Sequence, residues 1–298
     1  MARVALVADL GGTKIAAARV EDSGRITHHR VEATPPAGGM VVIEALADLL
    51  RRLPAKGACA VGVDVPGVAD ESGTVWAPNL AGWKRMPLAA LLAERIGLPV
   101  FVDSDRNAFV TGEAWLGSAR GCNDVVFVTI GTGIGAGIIS GGRLVRGWGE
   151  LSGCVGWLAV CDRFRRSYAD VGCLESHAAG PGIAAAAKRA LRRPVTVQDL
   201  AKQARAGDRK AKQVLEEAGH YLGLGLANLV DILNPRMIVV GGGVAAAGDL
   251  LLAPARRTMR QWAQPLAVKQ VRVARSRLGG RAGILGMARL CFDGLENR

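Results

Sequence analysis

Four short stretches hold the residues that can do chemistry. DLGGTK (9–14) sets a carboxylate, two glycines, a hydroxyl and an ammonium between two apolar runs, Val4–Ala8 and Ile15–Ala18. A turn built on Gly11 and Gly12 lets backbone N–H groups approach an anion without a side chain in the way. Thr13 adds a hydroxyl donor and Lys14 a positive charge. Asp9 would repel a phosphate, and its natural partner is a hydrated Mg²⁺. The same design recurs in DVVFVTIGTGIGAGIIS (124–140), where Gly131, Thr132 and Gly133 join two apolar runs. A third cluster, Gly241, Gly242 and Gly243, follows another apolar run. Together they predict a polyphosphate gripped by two turns. The fourth stretch, FVDSDRNAFVTGE (101–113), sets Asp103 and Asp105 where a strand meets a helix. Alternation puts both on one face if the strand reaches Asp105. The helix N-terminus favours an ionised Asp105. An ionised carboxylate there can take the proton of an attacking hydroxyl, a role worth about 10²–10⁴ in rate.

These stretches need elements to hold them. Apolar patterning predicts a hairpin over 3–9 and 15–20, a helix over 40–53, a strand over 58–67 ending in a Pro-Gly turn, a helix over 87–97 closed by Gly97, a strand over 99–105 and a helix over 106–116. The second half predicts strands on both sides of Gly131–Gly133, helices near 179–191, 197–206 and 208–233, a strand from 235 into the glycines, and a last helix from 282. The recurrence of one design roughly a hundred residues apart is too long a period for a solenoid and predicts two related domains. The expected division is 1–118 and 119–281, with the helix at about 282–298 packing back on the first domain and a cleft between the two.

The chain has 298 residues, half of them apolar, enough for two sizeable cores. It has no run of about 18 uncharged apolar residues, and Asp9 with Gly11 and Gly12 interrupts any leader-like segment, so a cytoplasmic protein is expected. The six cysteines are too scattered for a disulfide framework. The net charge of +12 reads as a solvated, Arg-rich surface, because no nucleic-acid module accompanies it. Neither G-x-x-x-x-G-K-[ST] nor a strand–helix G-x-G-x-x-G is present.

DLGGTK, GVDVPGVAD (62–70), NLAGW (79–83), DSDRNAFVTGE (103–113), GTGIGAGIISGGRLVRG (131–147), GCLE (172–175) and LANLVDILNPRMIVVGGGV (226–244) resemble, in order, the ROK family of sugar kinases and repressors. The resemblance implies a duplicated actin-like, ribonuclease H-like α/β ATPase fold with ATP and Mg²⁺ in the cleft. It implies transfer of the γ-phosphoryl to a sugar hydroxyl, with Asp105 as base. It places Asp9 to Lys14 and Gly131 to Gly133 on the phosphates, Asp9 on Mg²⁺ through water, Gly241 to Gly243 on the adenosine side, and Gly67, Asn79 and Glu175 on the sugar. A homodimer is implied too. The sequence opens on the first phosphate turn, so the helix-turn-helix domain of the family's repressors is not expected.

The pattern departs from the family at the sugar. In SGCVGWLAV (152–160), Cys154 stands where the family has a sugar-binding Glu and Trp157 where it has His, while Ser104 replaces an Asn beside the base. Glu150, four residues before Cys154, is a displaced candidate that the alignment of GWLAV excludes. Losing polar partners for sugar hydroxyls changes the substrate, and Trp157 can stack on an apolar ring face. The expected acceptor is therefore a sugar or sugar-like polyol other than ordinary glucose. The family's zinc segment becomes CDRFRRSYADVGCLE (161–175), with only Cys173 in register. Zinc is not expected, and its alternative ligand set is Cys154, Cys161, Cys173 and His177. The rival reading is a non-catalytic ligand-binding regulator of the same family.

Overall fold

The computed structural model describes residues 2–296. Contacts divide the chain into two units, 1–121 with 146–152 and 280–298, and 122–145 with 153–279. The stretch 146–152 groups with the first unit although its neighbours in sequence group with the second.

In the first unit, β1 (Val4–Leu10), β2 (Lys14–Glu21) and β3 (Ile26–Ala33) form an antiparallel meander, and β4 (Ala58–Val65) and β7 (Val100–Ser104) extend the sheet beside β1 in parallel. A two-stranded ribbon, β5 (Val68–Ala69) and β6 (Val75–Trp76), lies outside it. The central strands are apolar on both faces because both are covered. Leu6, Ala8, Val61 and Val63 enter one core with Ile43, Leu46 and Leu50 of α1 (Gly39–Arg51) and Leu88 and Leu92 of α2 (Leu88–Ile96). Gly97 ends α2 at φ 73°, a left-handed conformation that favours glycine. The edge strand β3 escaped the sequence reading, since ITHHRVEA is polar and mostly exposed. Helix α3 (Asp105–Leu116) leaves β7 directly.

The second unit repeats the plan. Its sheet order β10-β9-β8-β11-β12 copies β3-β2-β1-β4-β7, with β8 (Val125–Ile130), β9 (Ile134–Ser140) and β10 (Arg143–Leu144) antiparallel and β11 (Met237–Gly241) and β12 (Arg272–Arg275) parallel to β8. Its helices are α4 (Tyr168–Val171), α5 (Cys173–Ala178), α6 (Gly180–Leu191), α7 (Val197–Arg205), α8 (Arg209–Leu233), α9 (Asp249–Trp262) and α10 (Ala267–Gln270). Asp208 caps α8 by accepting from the N–H groups of Lys210 and Ala211. Gly219 and Gly223 let α8 close on Leu251, Pro254 and Ala255 of α9, a helix the sequence reading did not find.

Helix α11 (Ala282–Glu296) belongs to the first unit and packs on α3. Gly112 and Gly286 meet there backbone to backbone, with no room for a Cβ on either. Cys291 and Met287 of α11 fill the space over Gly62 of β4.

Candidate active site

In the first unit, β1, β4 and β7 run parallel, so their carboxyl ends lie along one edge of the sheet, the usual side for ligands in such sheets. Three aspartates stand there in register, Asp9 opposite Asp64 and Asp64 opposite Asp103. Asp105 opens α3 one residue past the end of β7. Like charges crowded at this spacing need compensation.

Asp103 has it. The guanidinium of Arg146 donates to both its oxygens, at 2.6 and 3.2 Å, and the Asn107 amide donates at 2.8 Å. Arg146 also donates to Glu150 at 2.8 Å. Asp103 is therefore spent on structure. Strand β7 stops at Ser104, so the expectation that Asp103 and Asp105 share a strand face does not hold. Burial pushes the Asp105 carboxyl up to about 6, with Arg106 opposing and Asp9 adding to the rise. The helix start acts in the expected direction, through the Arg106 backbone N–H, and burial of the carboxyl outweighs it. A chain of donors steadies it, from Arg106 Nε to Ser104 Oγ at 3.1 Å and from that hydroxyl to Asp105 Oδ1 at 3.4 Å. Ser104 thus touches the candidate base itself.

Asp9 and Asp64 face each other. Burial raises Asp9, with Asp64 and Lys14 lowering it. Asp64 is fully buried and neither of its oxygens receives a hydrogen bond from a donor group. Burial and the charges of Asp9, Asp105 and Asp103 all push it up. Gly283 of α11 passes over this pair. A Cβ there would sit 3.1 Å from Asp64 Oδ2 and 3.4 Å from Asp9 Oδ2.

The turn after β1 is exposed at Gly12, Thr13 and Lys14. The Gly11 N–H donates to the Lys14 carbonyl at 2.9 Å, and Thr34 straps the turn by donating from its hydroxyl to the Gly11 carbonyl at 2.7 Å. Asn79 lies against it, its carbonyl 3.8 Å from the Cβ position of Gly12. Gly67 packs on the backbone of Trp76 and Ala77 with no space for a side chain.

In the second unit, Gly131 to Gly133 turn from β8 to β9, with the Gly131 N–H on the Gly133 carbonyl at 2.9 Å. The N-terminus of α6 starts at this turn, Gly180 N–H donating to the Gly131 carbonyl at 2.8 Å. Thr132 is exposed. Gly242, at φ 88°, sits against the backbone of Ile130 and so brings the third glycine cluster to the same place. Gly243 meets nothing within 4 Å, whereas Gly241 is a buried strand residue whose missing Cβ makes room for Phe127. The Glu175 carboxylate accepts from the Ile134 N–H at 2.7 Å and lies under Gly133 and Gly156. Burial raises its pKa. Trp157 is half exposed.

Of the alternative metal ligands, Cys161, Cys173 and His177 lie with their ligand atoms within 4.8 Å of one another, and Cys154 is outside that group. The two thiols are 3.4 Å apart, and His177 Nε2 and the Tyr168 hydroxyl are 2.8 Å apart. Tyr221 stacks on the imidazole at 3.8 Å. The six cysteines form no disulfide.

Sequence reasoning missed Asp64, Arg146, Arg106 and Gly283. An acidic residue inside the apolar run VGVDVPG is a usable signal for Asp64. Nothing local marks Arg146 or Gly283, whose partners are distant in sequence.

A family model described as ROK family matches residues 5–293. A glucokinase of Halalkalibacterium halodurans is 31% identical over 93% of this chain and 92% of its own length. A ROK hexokinase structure from Thermus thermophilus is 36% identical, covers 100% of both chains and superposes with a TM-score of 0.85. A ROK family glucokinase from Streptomyces griseus, solved with glucose and AMPPNP, is 32% identical over 96% of this chain and 98% of that one, with a TM-score of 0.81.

Proposed function

We propose that this chain, which belongs to the ROK family and has its duplicated actin-like fold, is an ATP-dependent carbohydrate kinase whose acceptor is a sugar or polyol other than ordinary glucose. The observation that carries the kinase reading is Asp105. It is a carboxyl poised at about 6, at the carboxyl edge of a parallel sheet, beside Asp9 and the exposed Gly12–Lys14 turn. The glucokinases among the relatives and the AMPPNP in one of them support ATP as donor.

The turns Gly11 to Lys14 and Gly131 to Gly133 receive the phosphates, with the N–H groups of Gly11 and Gly131 spent across their own turns and the side chains of Thr13, Thr132 and Lys14 adding donors. Gly243, where a Cβ would meet nothing, leaves open backbone for the adenosine, and Gly242 packs on Ile130 to place it. Mg²⁺ fits at Asp9, because the carboxylates there outnumber their cationic partners and a hard cation prefers such oxygens. When bound it supplies charge neutralisation to the phosphates. Asp105 takes the hydroxyl proton, and Ser104 and Arg106 hold it in line. Phosphoryl transfer asks little else of a protein beyond position and charge.

The acceptor follows from what surrounds the sugar positions. Gly67 and Asn79 are assigned to the sugar by the family resemblance, and Asn79 lies against the Gly12 turn. Cys154 and Trp157 offer no carboxylate and no imidazole where the family has them, and Glu175 is tied to the Ile134 backbone. A site lacking those acceptors loses discrimination for the hydroxyls they would bind. Steady-state phosphorylation across a panel of hexoses, amino sugars, deoxy sugars and cyclitols tests this. Glucose turnover at ordinary rates with a millimolar or tighter KM refutes the acceptor assignment. No turnover of ATP with any member favours the regulator instead.

A further inference from the structure

Positive charge is unevenly shared among the four aspartates at the carboxyl edge of the first sheet. Arg146 serves Asp103, Arg106 stands beside Asp105, and Lys14 acts on Asp9. Asp64 has no cation beside it, and the group it faces is Asp9. Both its oxygens are shielded from solvent and unpartnered, although a buried carboxyl left this way costs several kcal/mol in general. Its register neighbour Asp9 faces it, and the sheet edge is open at that neighbour, which is only half-buried. Above the pair runs α11, and at this point it carries Gly283. A Cβ there would meet Asp64 Oδ2 and Phe109 Cε1 at 3.1 Å each and Asp9 Oδ2 at 3.4 Å, so glycine is what lets α11 pass without displacing the two carboxylates. Two carboxylates that face each other, one of them buried without a cation, offer the hard oxygens that a divalent cation takes.

We propose that Asp64 and Asp9 form a two-carboxylate seat that binds one divalent cation directly, before any nucleotide arrives. The inference deepens the kinase reading, on which the identity of the ion as Mg²⁺ rests. It changes the role of Asp9 from a holder through water to a direct ligand. It also assigns Asp64, a residue on a strand rather than on either phosphate turn, to the metal.

The test uses the full chain without nucleotide and Mn²⁺ as probe, read by the loss of free-ion signal in electron paramagnetic resonance. Wild type is expected to bind one Mn²⁺ per chain, displaceable by Mg²⁺. Asp64→Asn is nearly isosteric, and it is expected to weaken binding by about ten-fold or more while keeping its circular dichroism. Asp249→Asn, on the exposed start of α9, serves as control and is expected to bind as wild type does. Absence of binding by wild type, or unchanged binding by Asp64→Asn, overturns the proposal. Should Asp64→Asn not fold, anomalous scattering from wild-type crystals soaked in Mn²⁺ decides. A peak within about 2.0–2.6 Å of both carboxylates supports the seat, and a peak on Asp9 alone overturns it. Phosphorylation is assayed on the same wild-type preparation. Transfer without the seat leaves the kinase reading standing, and a seat without transfer to any sugar removes the kinase reading alone.

Discussion

Asp105→Asn makes two opposite demands on one residue. The ordinary aspartate value is 3.8, and this carboxyl is pushed up to about 6 in the fold, chiefly by burial. A carboxyl raised in the folded state favours folding only while it is protonated. Its contribution is complete below the unfolded value, declines as pH climbs from about 4 to about 6, and is a net penalty above. Roughly two units correspond to about 3 kcal/mol, and the residue's partial exposure reduces this to about 1–2 kcal/mol. Asparagine carries no charge at any pH. The variant is therefore expected to be more stable than wild type by about 1–2 kcal/mol at pH 7.5, with the gap closing below pH 4. Activity moves the other way. Loss of a general base costs about 10²–10⁴ in kcat. In wild type kcat/KM should fall below pH 6, to about one tenth of its plateau at pH 5, and in the variant this limb should vanish. Urea unfolding at three pH values and a pH–rate profile make the two measurements. Near-normal turnover would refute Asp105 as the base. A variant less stable than wild type at pH 7.5 would refute the account of desolvation at this corner.

Three further outcomes follow from the same geometry. Arg146→Met leaves the buried Asp103 without its cation and is expected to cost about 2–3 kcal/mol in urea unfolding, less than a fully buried pair because Arg146 is itself part exposed; adding Asp103→Asn should recover most of it. Gly286→Ala forces α11 away from the Ala108 carbonyl of α3 and is expected to cost about 1–3 kcal/mol, read as a lower Tm with unchanged pH dependence. Cys154→Glu combined with Trp157→His restores the two polar groups of the family pattern and is expected to raise kcat/KM for glucose by about ten-fold or more over the parent. No gain there would mean that these two positions do not set the acceptor.

Much of the fold was legible because its signals are local. The runs VALVA and VVFV are apolar at every position and lead into Gly-Thr turns, and their recurrence announces the duplication, which the matched sheet orders display. What lacked a local signal was missed: β3, whose polar edge residues do not alternate, and α9, masked by the small and charged residues between Gly248 and Trp262. At the site, Asp105 and the three glycine clusters could be picked out by type and spacing. The helix-terminus argument for Asp105 had the right sign for its own contribution but missed the larger opposing one, because burial is a property of the packed unit and is invisible along the chain.

The amino-acid sequence by itself determined the chemistry available: one carboxyl at a strand-to-helix corner, glycine turns bare enough for an anion, and Cys154 and Trp157 at positions where the family resemblance implies a Glu and a His. Only the tertiary structure decided how those groups are employed. Parallel pairing of residues 55 and 39 positions apart aligned Asp9, Asp64 and Asp103, Arg146 crossed over to neutralise the third, and Gly283 came from late in the chain to lie close against the first two. The physical reason is range. Propensity and spacing act over a few residues, whereas desolvation and charge compensation depend on every group that folding brings within several ångströms.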